Sequence, residues 1–359
     1  MTYVQQSFLS LVRLGIGHDS PSSGVLFDHA DWNEVMALAA KQGLTAIILD
    51  GLEKLPEKQR PSKTLLLQWI GSTLQSFEQR YELYSRAIAS LTGFYYDHGF
   101  KMMVLKGYAC SINWPKPEHR PAGDIDIWLF GKYRSADEVL SQETGIKIDT
   151  SEHHHTVFYW ENFMVENHYD FINVHHHKSN GEFERILKEL GQDDTHFVEV
   201  YGEKIYIPSP DLHVLFLLRH AMAHFAATEI TVRHLLDWAF FVEKNTNVIN
   251  WKWLIEVLDC FGMAEFFSTV IAICIEDLGF DKSIFPTCNY NPEIKEKVLS
   301  EILSPQFSGK MPSNFFVRVI WKFRRWRANA WKHKLCYKES LWSAFLSGVW
   351  SHLLKPSSI

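Results

Sequence analysis

Residues 104–129 read VLKGYACSINWPKPEHRPAGDIDIWL, two short apolar runs separated by a polar segment that contains three prolines. The first run ends in Lys106-Gly107, and the second holds Asp124 and Asp126 in alternation with isoleucines. Because successive side chains of a β-strand point to opposite faces, the two aspartates share one face and the isoleucines share the other. The stretch therefore predicts two buried strands, one of which presents a pair of carboxylates.

The pattern also suggests why two acids lie so close together. Two carboxylates on one strand face repel each other unless a cation lies between them. Mg²⁺ prefers carboxylate oxygens and often binds together with the phosphates of a nucleotide. A glycine that closes a strand before a helix, such as Gly107, lets backbone N–H groups approach a phosphate. An edge strand with a solvated acidic face explains a lone Asp-x-Asp too, but the preceding strand-Lys-Gly unit favours the phosphate interpretation.

This arrangement resembles a known family. The stretch is similar to the signature of the polymerase-β-like nucleotidyltransferase superfamily, which consists here of Gly107, a helix-sized gap and Asp124-Ile-Asp126. The fuller residue sequence of the stretch resembles the uncharacterised bacterial branch of that superfamily. A Phe-Leu-x-Leu-Val-Arg helix at 8–13 and a His-rich helix followed by Leu-Leu-Asp at 220–237 extend the resemblance. It implies an α+β fold: a mixed sheet flanked by N-terminal helices and a C-terminal helical bundle.

The resemblance also implies a metal site. Asp124 and Asp126 would hold Mg²⁺ or Mn²⁺, and a third acid on a later strand would complete the set. Glu166 and Asp170 are the candidates, but four strand residues separate them by about 13 Å, so only one can reach the pair. The segment 165–169 resembles the family's apolar-acid-x-His-aromatic strand and selects Glu166.

The implied reaction is the transfer of a nucleoside monophosphate from a nucleoside triphosphate to an acceptor hydroxyl, with release of pyrophosphate. ATP is the expected triphosphate. Such transfer relies chiefly on positioning and electrostatics. Gly107 and Lys106 would contact the phosphates, and Arg120 the nucleotide or the acceptor. The alternatives are that Lys106 is only solvated and that Arg120 is an ordinary loop residue. The acceptor stays open among a small molecule, a protein side chain and an RNA end.

Histidines offer a different interpretation, because helical i, i+4 pairs and triplets can bind transition metals. The residues concerned are the triplets 153–155 and 175–177 and the group His220, His224, His234 and Asp237. A His/Asp metal phosphohydrolase is therefore an alternative function, although hydrogen bonds between helices near the nucleotide cleft are the favoured role. A non-catalytic binding protein with the same fold is a further alternative.

Periodicity divides the chain into an N-terminal helical region (1–99), an α+β core (100–208) and a C-terminal helical region (209–359). One helix is expected from 31 onward, a long one over 62–96, and another after 208–211. We predict strands at 102–105, 124–130, 156–160, 163–171, 172–177, 197–200 and 204–207. We predict further helices at 107–113, 133–142, 181–190, 229–244, 250–262, 264–278, 292–303, 313–334 and 339–353.

Charge is distributed unevenly. Residues 310–338 hold nine Lys and Arg and no Asp or Glu, which leaves 27 basic against 42 acidic residues elsewhere. This segment predicts an anionic partner or membrane surface, or else a helix that packs on the C-terminal bundle through its apolar stripe. We expect no sequence-specific nucleic acid as a partner. Five scattered cysteines without C-x-x-C, and no leader or long apolar run, predict a cytoplasmic protein.

Overall fold

A computed structural model describes residues 1–19, 27, 30–175, 177–307 and 312–343. Its centre is a six-stranded sheet in the order β3-β4-β2-β1-β6-β5. β1 lies antiparallel to β2 and parallel to β6, and β2 lies parallel to β4, so the predicted mixed sheet of an α+β fold is confirmed. The strands are β1 (Met103–Val104), β2 (Ile125–Trp128), β3 (His155–Trp160), β4 (Phe163–His168), β5 (Phe197–Val200) and β6 (Glu203–Tyr206).

Two tight hairpins form the ends of the sheet. Glu161 and Asn162 join β3 to β4 with φ angles of 47° and 70°, and Tyr201 and Gly202 join β5 to β6 with φ angles of 51° and 87°. Two central residues with positive φ match the right-handed twist of the flanking strands. The hairpin predicted around Glu161-Asn162 is therefore confirmed.

The strand predicted at 172–177 is wrong for the residues described there, which form turns instead. Phe171 and Ile172 donate their backbone N–H groups to the carboxylate of Glu184, at 2.9 and 3.0 Å. A side chain from a later helix thus takes the donors that a strand would give to its neighbour. β4 consequently ends at His168 rather than at 171.

Helices surround the sheet. Several begin at a residue whose side chain accepts a backbone N–H, as Asp31, Asn250 and Asn291 do. The helices are α1 (Tyr3–Ile16), α2 (Trp32–Gln42), α3 (Thr45–Glu53), α4 (Lys63–Thr73), α5 (Gln79–Asp97), α6 (Tyr108–Ser111), α7 (Tyr133–Thr144), α8 (Asn180–Leu190), α9 (Pro210–Ala227), α10 (Val232–Asn245), α11 (Trp251–Phe261), α12 (Ala264–Glu276), α13 (Pro292–Leu303), α14 (Phe315–Ala328) and α15 (Ala330–Cys336).

The long helix predicted over 62–96 is present but contains one wide turn. Ser62 caps its start, and a π-helical turn at Leu74–Glu78 joins α4 to α5. Before this turn, Trp69 packs in a core formed by the helices. After it, Tyr84 packs in a second core beneath the sheet. The helix therefore connects the two apolar cores of the chain.

Alternation along β2 separates the faces of the sheet. Ile125 and Ile127 are fully buried in the core shared with α5 and α7. Trp128 packs on the opposite side against Phe171, which in turn packs on Phe216 of α9. Because Asp126 lies two residues before Trp128, its side chain also faces the C-terminal helices.

The basic segment departs from its prediction of one helix over 313–334. Asn329 interrupts it, is buried, and donates its side-chain amide to the carbonyl of Ala227 on α9 at 3.3 Å. α15 packs on the bundle with Leu335 buried, whereas Phe323 of α14 is 54% exposed, so the predicted apolar stripe is not buried throughout. Most of the helix predicted at 339–353 lies outside the described residues. In the described parts of the chain, no helix has the length and apolar character needed to cross a membrane.

Candidate active site

Asp126 and Glu166 are direct neighbours on adjacent strands. Parallel pairing of β2 with β4 sets Asp126 opposite Glu166, and His168 follows on the same face of β4. The Asp126 side chain is 6% exposed and that of Glu166 is 19% exposed. Ligand atoms of Asp126, Glu166 and His168 lie within 4.8 Å of one another. The sheet thus gathers two carboxylates and an imidazole at one point.

Two cationic groups compensate the charge of Asp126. Its Oδ1 atom lies 2.7 Å from Lys106 Nζ and 3.1 Å from His168 Nε2. Burial alone would raise the pKa of Asp126, but Lys106 and His168 outweigh burial and hold that pKa well below its usual range. Asp126 is therefore ionised throughout the neutral pH range.

The pKa of His168 shifts in the opposite direction to that of Asp126. Burial lowers its pKa, but hydrogen bonds to Asp126 and Glu166 outweigh this effect and raise the pKa of His168 to about 9. Its Nδ1 atom lies 3.1 Å from the backbone carbonyl oxygen of Asp170. The imidazolium thus carries one of the two positive charges that balance the acids.

Asp124 lies just before β2 and is exposed. Desolvation raises its pKa, and the negative charges of Asp126 and Glu166 raise it further. The Asp124 carboxylate is not part of the three-ligand group formed by Asp126, Glu166 and His168. It therefore adds a third negative charge at the rim of the site.

Gly107 has a steric reason to be glycine. Its φ is +58°, and a Cβ atom there would lie 2.1 Å from the hydroxyl oxygen of Tyr84. That hydroxyl donates to the backbone carbonyl of Asp124 at 2.9 Å, so Tyr84 holds the glycine turn and the start of β2 together. From the sequence, Tyr84 could be identified only as a core residue, because nothing but its spacing in the long helix distinguishes it. Contact of Gly107 with phosphate stays a prediction.

Arg120 lines the cleft but is engaged there by Asp237. Its Nε and Nη2 atoms donate to the two carboxylate oxygens of Asp237 at 2.8 and 3.0 Å, and both side chains are buried. Trp114 Nε1 donates to the same carboxylate at 2.9 Å. This geometry gives Arg120 a buried structural partner, and its contact with nucleotide or acceptor stays a prediction. Arg233, whose side chain is 26% exposed, also reaches Asp237 and lines the cleft, which the sequence analysis did not foresee.

The same contacts remove the acid from the proposed His/Asp metal site. Asp237 accepts from two arginines and a tryptophan, and the rings of His220 and His234 are 6.5 Å apart. Burial is the main cause that lowers the pKa of His220, His224 and His234, so these side chains are neutral. Within the described chain, no three-ligand group forms at α9 and α10. The structure therefore does not support the phosphohydrolase alternative there.

Asp170 lies away from the acid pair. Its carboxylate forms an ion pair with Lys188 of α8. Of the two candidates for the third acid, Glu166 is thus the one beside Asp126, while its role stays a prediction.

A cleft of about 1130 Å³ connects these residues to the C-terminal helices. Its walls include Lys106, Gly107 and Arg233, and α14 contributes Lys322 and Arg325. Lys322 is exposed and Arg325 is half-buried, with its guanidinium 4.7 Å from the ring centre of Trp321. The basic segment therefore forms one wall of the cleft that contains the acids.

A family model described as an uncharacterised nucleotidyltransferase matches residues 28–279. The matched region contains the whole sheet, α9 and α10, and hence all of the acids discussed above. The basic helices α14 and α15 lie beyond it. No curated protein and no solved structure gives a significant match to the chain.

Proposed function

The chain belongs to this family of uncharacterised nucleotidyltransferases, and from that premise we propose that it transfers a nucleoside monophosphate from a nucleoside triphosphate to an acceptor hydroxyl. One observation carries the proposal. Asp126 and Glu166 lie side by side at the wall of a cleft of about 1130 Å³, which is ample for a nucleotide and part of an acceptor. The acidic group, Lys106 and Gly107 face that shared space.

The acidic group suits a hard divalent cation. Carboxylate oxygens of Asp126, Glu166 and Asp124 are the ligands that Mg²⁺ and Mn²⁺ prefer, and the negative charges of Asp126 and Glu166 add to desolvation in raising the pKa of Asp124. We therefore assign these three residues to Mg²⁺ or Mn²⁺. The ion would neutralise charge on the triphosphate and help to align the reacting groups.

The residues of the chain supply binding and proton transfer. Lys106 and the partly exposed Arg233 would contact the triphosphate, for which ATP is the first candidate. The acceptor oxygen bonds to the α-phosphorus while the bond from that phosphorus to the bridging oxygen breaks, and pyrophosphate leaves with the electron pair. Glu166 would take the hydroxyl proton, because its carboxylate is more accessible than that of Asp126, which Lys106 and His168 engage.

The acceptor, in our proposal, is an anionic molecule. Lys322 and Arg325 line the cleft on the side away from the sheet, and the segment 310–338 has no acidic residue to neutralise them. Concentrated positive charge at a cleft attracts anions and accelerates their association. A phosphorylated or otherwise polyanionic acceptor fits this wall better than a neutral one.

Transfer can be tested with nucleoside triphosphates labelled at the α-phosphorus. We expect a component of a cell extract to acquire label in the presence of Mg²⁺, and a chelator to prevent it. Asp126→Asn should remove the labelling, whereas Asp193→Asn, a change at an acid outside the cleft, should retain it. Triphosphate binding without label transfer to any component would instead support a non-catalytic binding protein.

The charge of the acceptor can be tested with the same assay. Lys322→Ala with Arg325→Ala should raise the KM for the labelled component and leave that for the triphosphate nearly unchanged. Arg324→Ala with Lys334→Ala is the matched control, because it removes equal charge from exposed positions on α14 and α15 that do not line the cleft. An uncharged labelled component, or equal effects of both pairs, would overturn the assignment.

A further inference from the structure

A second group of ligands lies next to the acids. His154, His155 and His168 place one ring nitrogen each within 4.8 Å of the others. His155 begins β3 and is the register partner of His168 on β4. The backbone N–H groups of Tyr169 and Asp170 donate to the carbonyl of His154 at 3.0 and 3.1 Å. Strand pairing and these two hydrogen bonds therefore fix the backbone positions of all three histidines.

His155 leaves a buried polar atom without a hydrogen bond. Its side chain is 8% exposed, and its Nδ1 atom has no hydrogen-bond partner in the structure. Most buried side-chain polar atoms in proteins do have a partner, so an exception calls for a missing ligand or another explanation. A metal ion bound through Nδ1 of His155 would supply one.

His168 is oriented as metal-binding histidines are. Its Nδ1 atom meets the carbonyl oxygen of Asp170 at 3.1 Å, which leaves Nε2, 3.1 Å from Asp126 Oδ1, as the ring nitrogen for a metal. A ligating histidine usually donates its other ring N–H to a carbonyl or carboxylate in this way. Metal binding would take the place of the proton on Nε2.

The two ligand groups differ in the ions they suit. Carboxylate oxygens favour Mg²⁺ and Mn²⁺, whereas three imidazoles favour zinc-class transition metals. Nitrogens around a tetrahedral Zn²⁺ lie about 3.3 Å apart, as follows from Zn–N bonds of about 2.05 Å. The three ring nitrogens lie within 4.8 Å of one another, so a pair at that limit would have to approach by about 1.5 Å to bind such an ion.

We propose that His154, His155 and His168 form a binding site for a zinc-class divalent cation, beside the acidic group and different from it in ligand chemistry. His168 belongs to both groups, and its Nε2 atom, the ring nitrogen that the Asp170 carbonyl leaves for a metal, binds one ion at a time. Occupation of the histidine site therefore withdraws His168 from Asp126 and Glu166.

Cobalt(II) is the probe, because its visible absorption reports coordination by nitrogen. The full-length chain is stripped of metal with a chelator and titrated with Co²⁺, and Zn²⁺ is then added as competitor. We expect one Co²⁺ per chain, displaced by Zn²⁺ and retained in excess Mg²⁺. His154→Gln and His155→Gln should each weaken binding by at least about tenfold, since even partners outside the ligand set cost that much.

Two controls separate the sites. His196→Gln changes an exposed histidine outside the cluster, and Asp124→Asn changes an acid that we assign to the Mg²⁺ or Mn²⁺ site and that is not part of the histidine group. Both should bind Co²⁺ as the unmodified chain does. Thermal unfolding verifies that each variant is folded. If His155→Gln does not fold, the Co²⁺ affinity of His154→Gln, a change at a half-buried position, decides. Binding that survives both histidine changes, or that falls equally in the controls, would overturn the proposal. The test needs no nucleotide, so its failure is distinct from a failure of the transferase activity.

Discussion

Replacing Arg120 by methionine separates a structural role from nucleotide binding. The change leaves the Asp237 carboxylate buried with only Trp114 at 2.9 Å and Arg233 at 3.4 Å as its remaining donors. Breaking a buried ion pair costs about 3–5 kcal/mol, because one charge stays desolvated without its partner. The donors that remain should keep the loss near the lower end, at about 3 kcal/mol.

The free energy of unfolding, measured in urea, tests this value. Binding of labelled triphosphate to the folded variant tests whether Arg120 contributes to nucleotide affinity. We expect the affinity to change by less than about threefold, or about 0.7 kcal/mol. Arg120→Met with Asp237→Leu should recover much of the stability, since buried ion pairs can be replaced by apolar side chains. Arg185→Met is the control, because Arg185 is exposed and pairs with Glu189 one helical turn away. This change should lower the free energy of unfolding by less than about 1 kcal/mol. A stable Arg120→Met variant with strongly weakened triphosphate binding would refute the structural role.

The remaining predictions concern the acids and the glycine turn. Asp124→Asn and Asp126→Asn should both remove metal-dependent turnover. Denaturation should show that only Asp126→Asn is destabilised, because Lys106 and His168 lose their counter-charge. Equal stabilities of the two variants would contradict this. Glu166→Gln should lower kcat far more than triphosphate affinity in steady-state and binding assays, and an unchanged kcat would remove Glu166 from the reaction. Gly107→Ala should unfold at a lower temperature, because its Cβ meets the Tyr84 hydroxyl, and Tyr84→Phe should restore part of that loss; no recovery would refute the steric cause.

The acid-bearing strand could be predicted because its pattern is local. Alternation of Asp124 and Asp126 with isoleucines identified β2 and its two faces, and Glu161-Asn162 identified the β3–β4 hairpin. The position of Glu166 beside Asp126 followed from the family resemblance, since strand spacing alone could only exclude that Glu166 and Asp170 both reach the pair.

Contacts between distant segments could not be predicted. Arg120 meets Asp237 across 117 positions of sequence, and nothing in the loop around Arg120 indicates that partner. The strand expected at 172–177 failed for the same reason, because Glu184 of a later helix takes its backbone donors. Lys106 shows the effect at the site itself: its position indicated a phosphate contact, which stays a prediction, but gave no sign of its ion pair with Asp126.

The wide turn at Leu74–Glu78 determines where this helix can vary in length. A π-helical turn accommodates one residue more than an α-helical turn. Deleting one residue within the turn would convert it to α-helix and leave the two halves of the helix nearly in register, so that Trp69 and Tyr84 would still face their own cores. Deleting one residue beside a retained π-helical turn would rotate one half by about 100°, and the Tyr84 hydroxyl would then leave Gly107 and Asp124. Single-residue deletions among homologous chains should therefore fall within this turn, although it lies far in sequence from the acids whose strand it helps to hold.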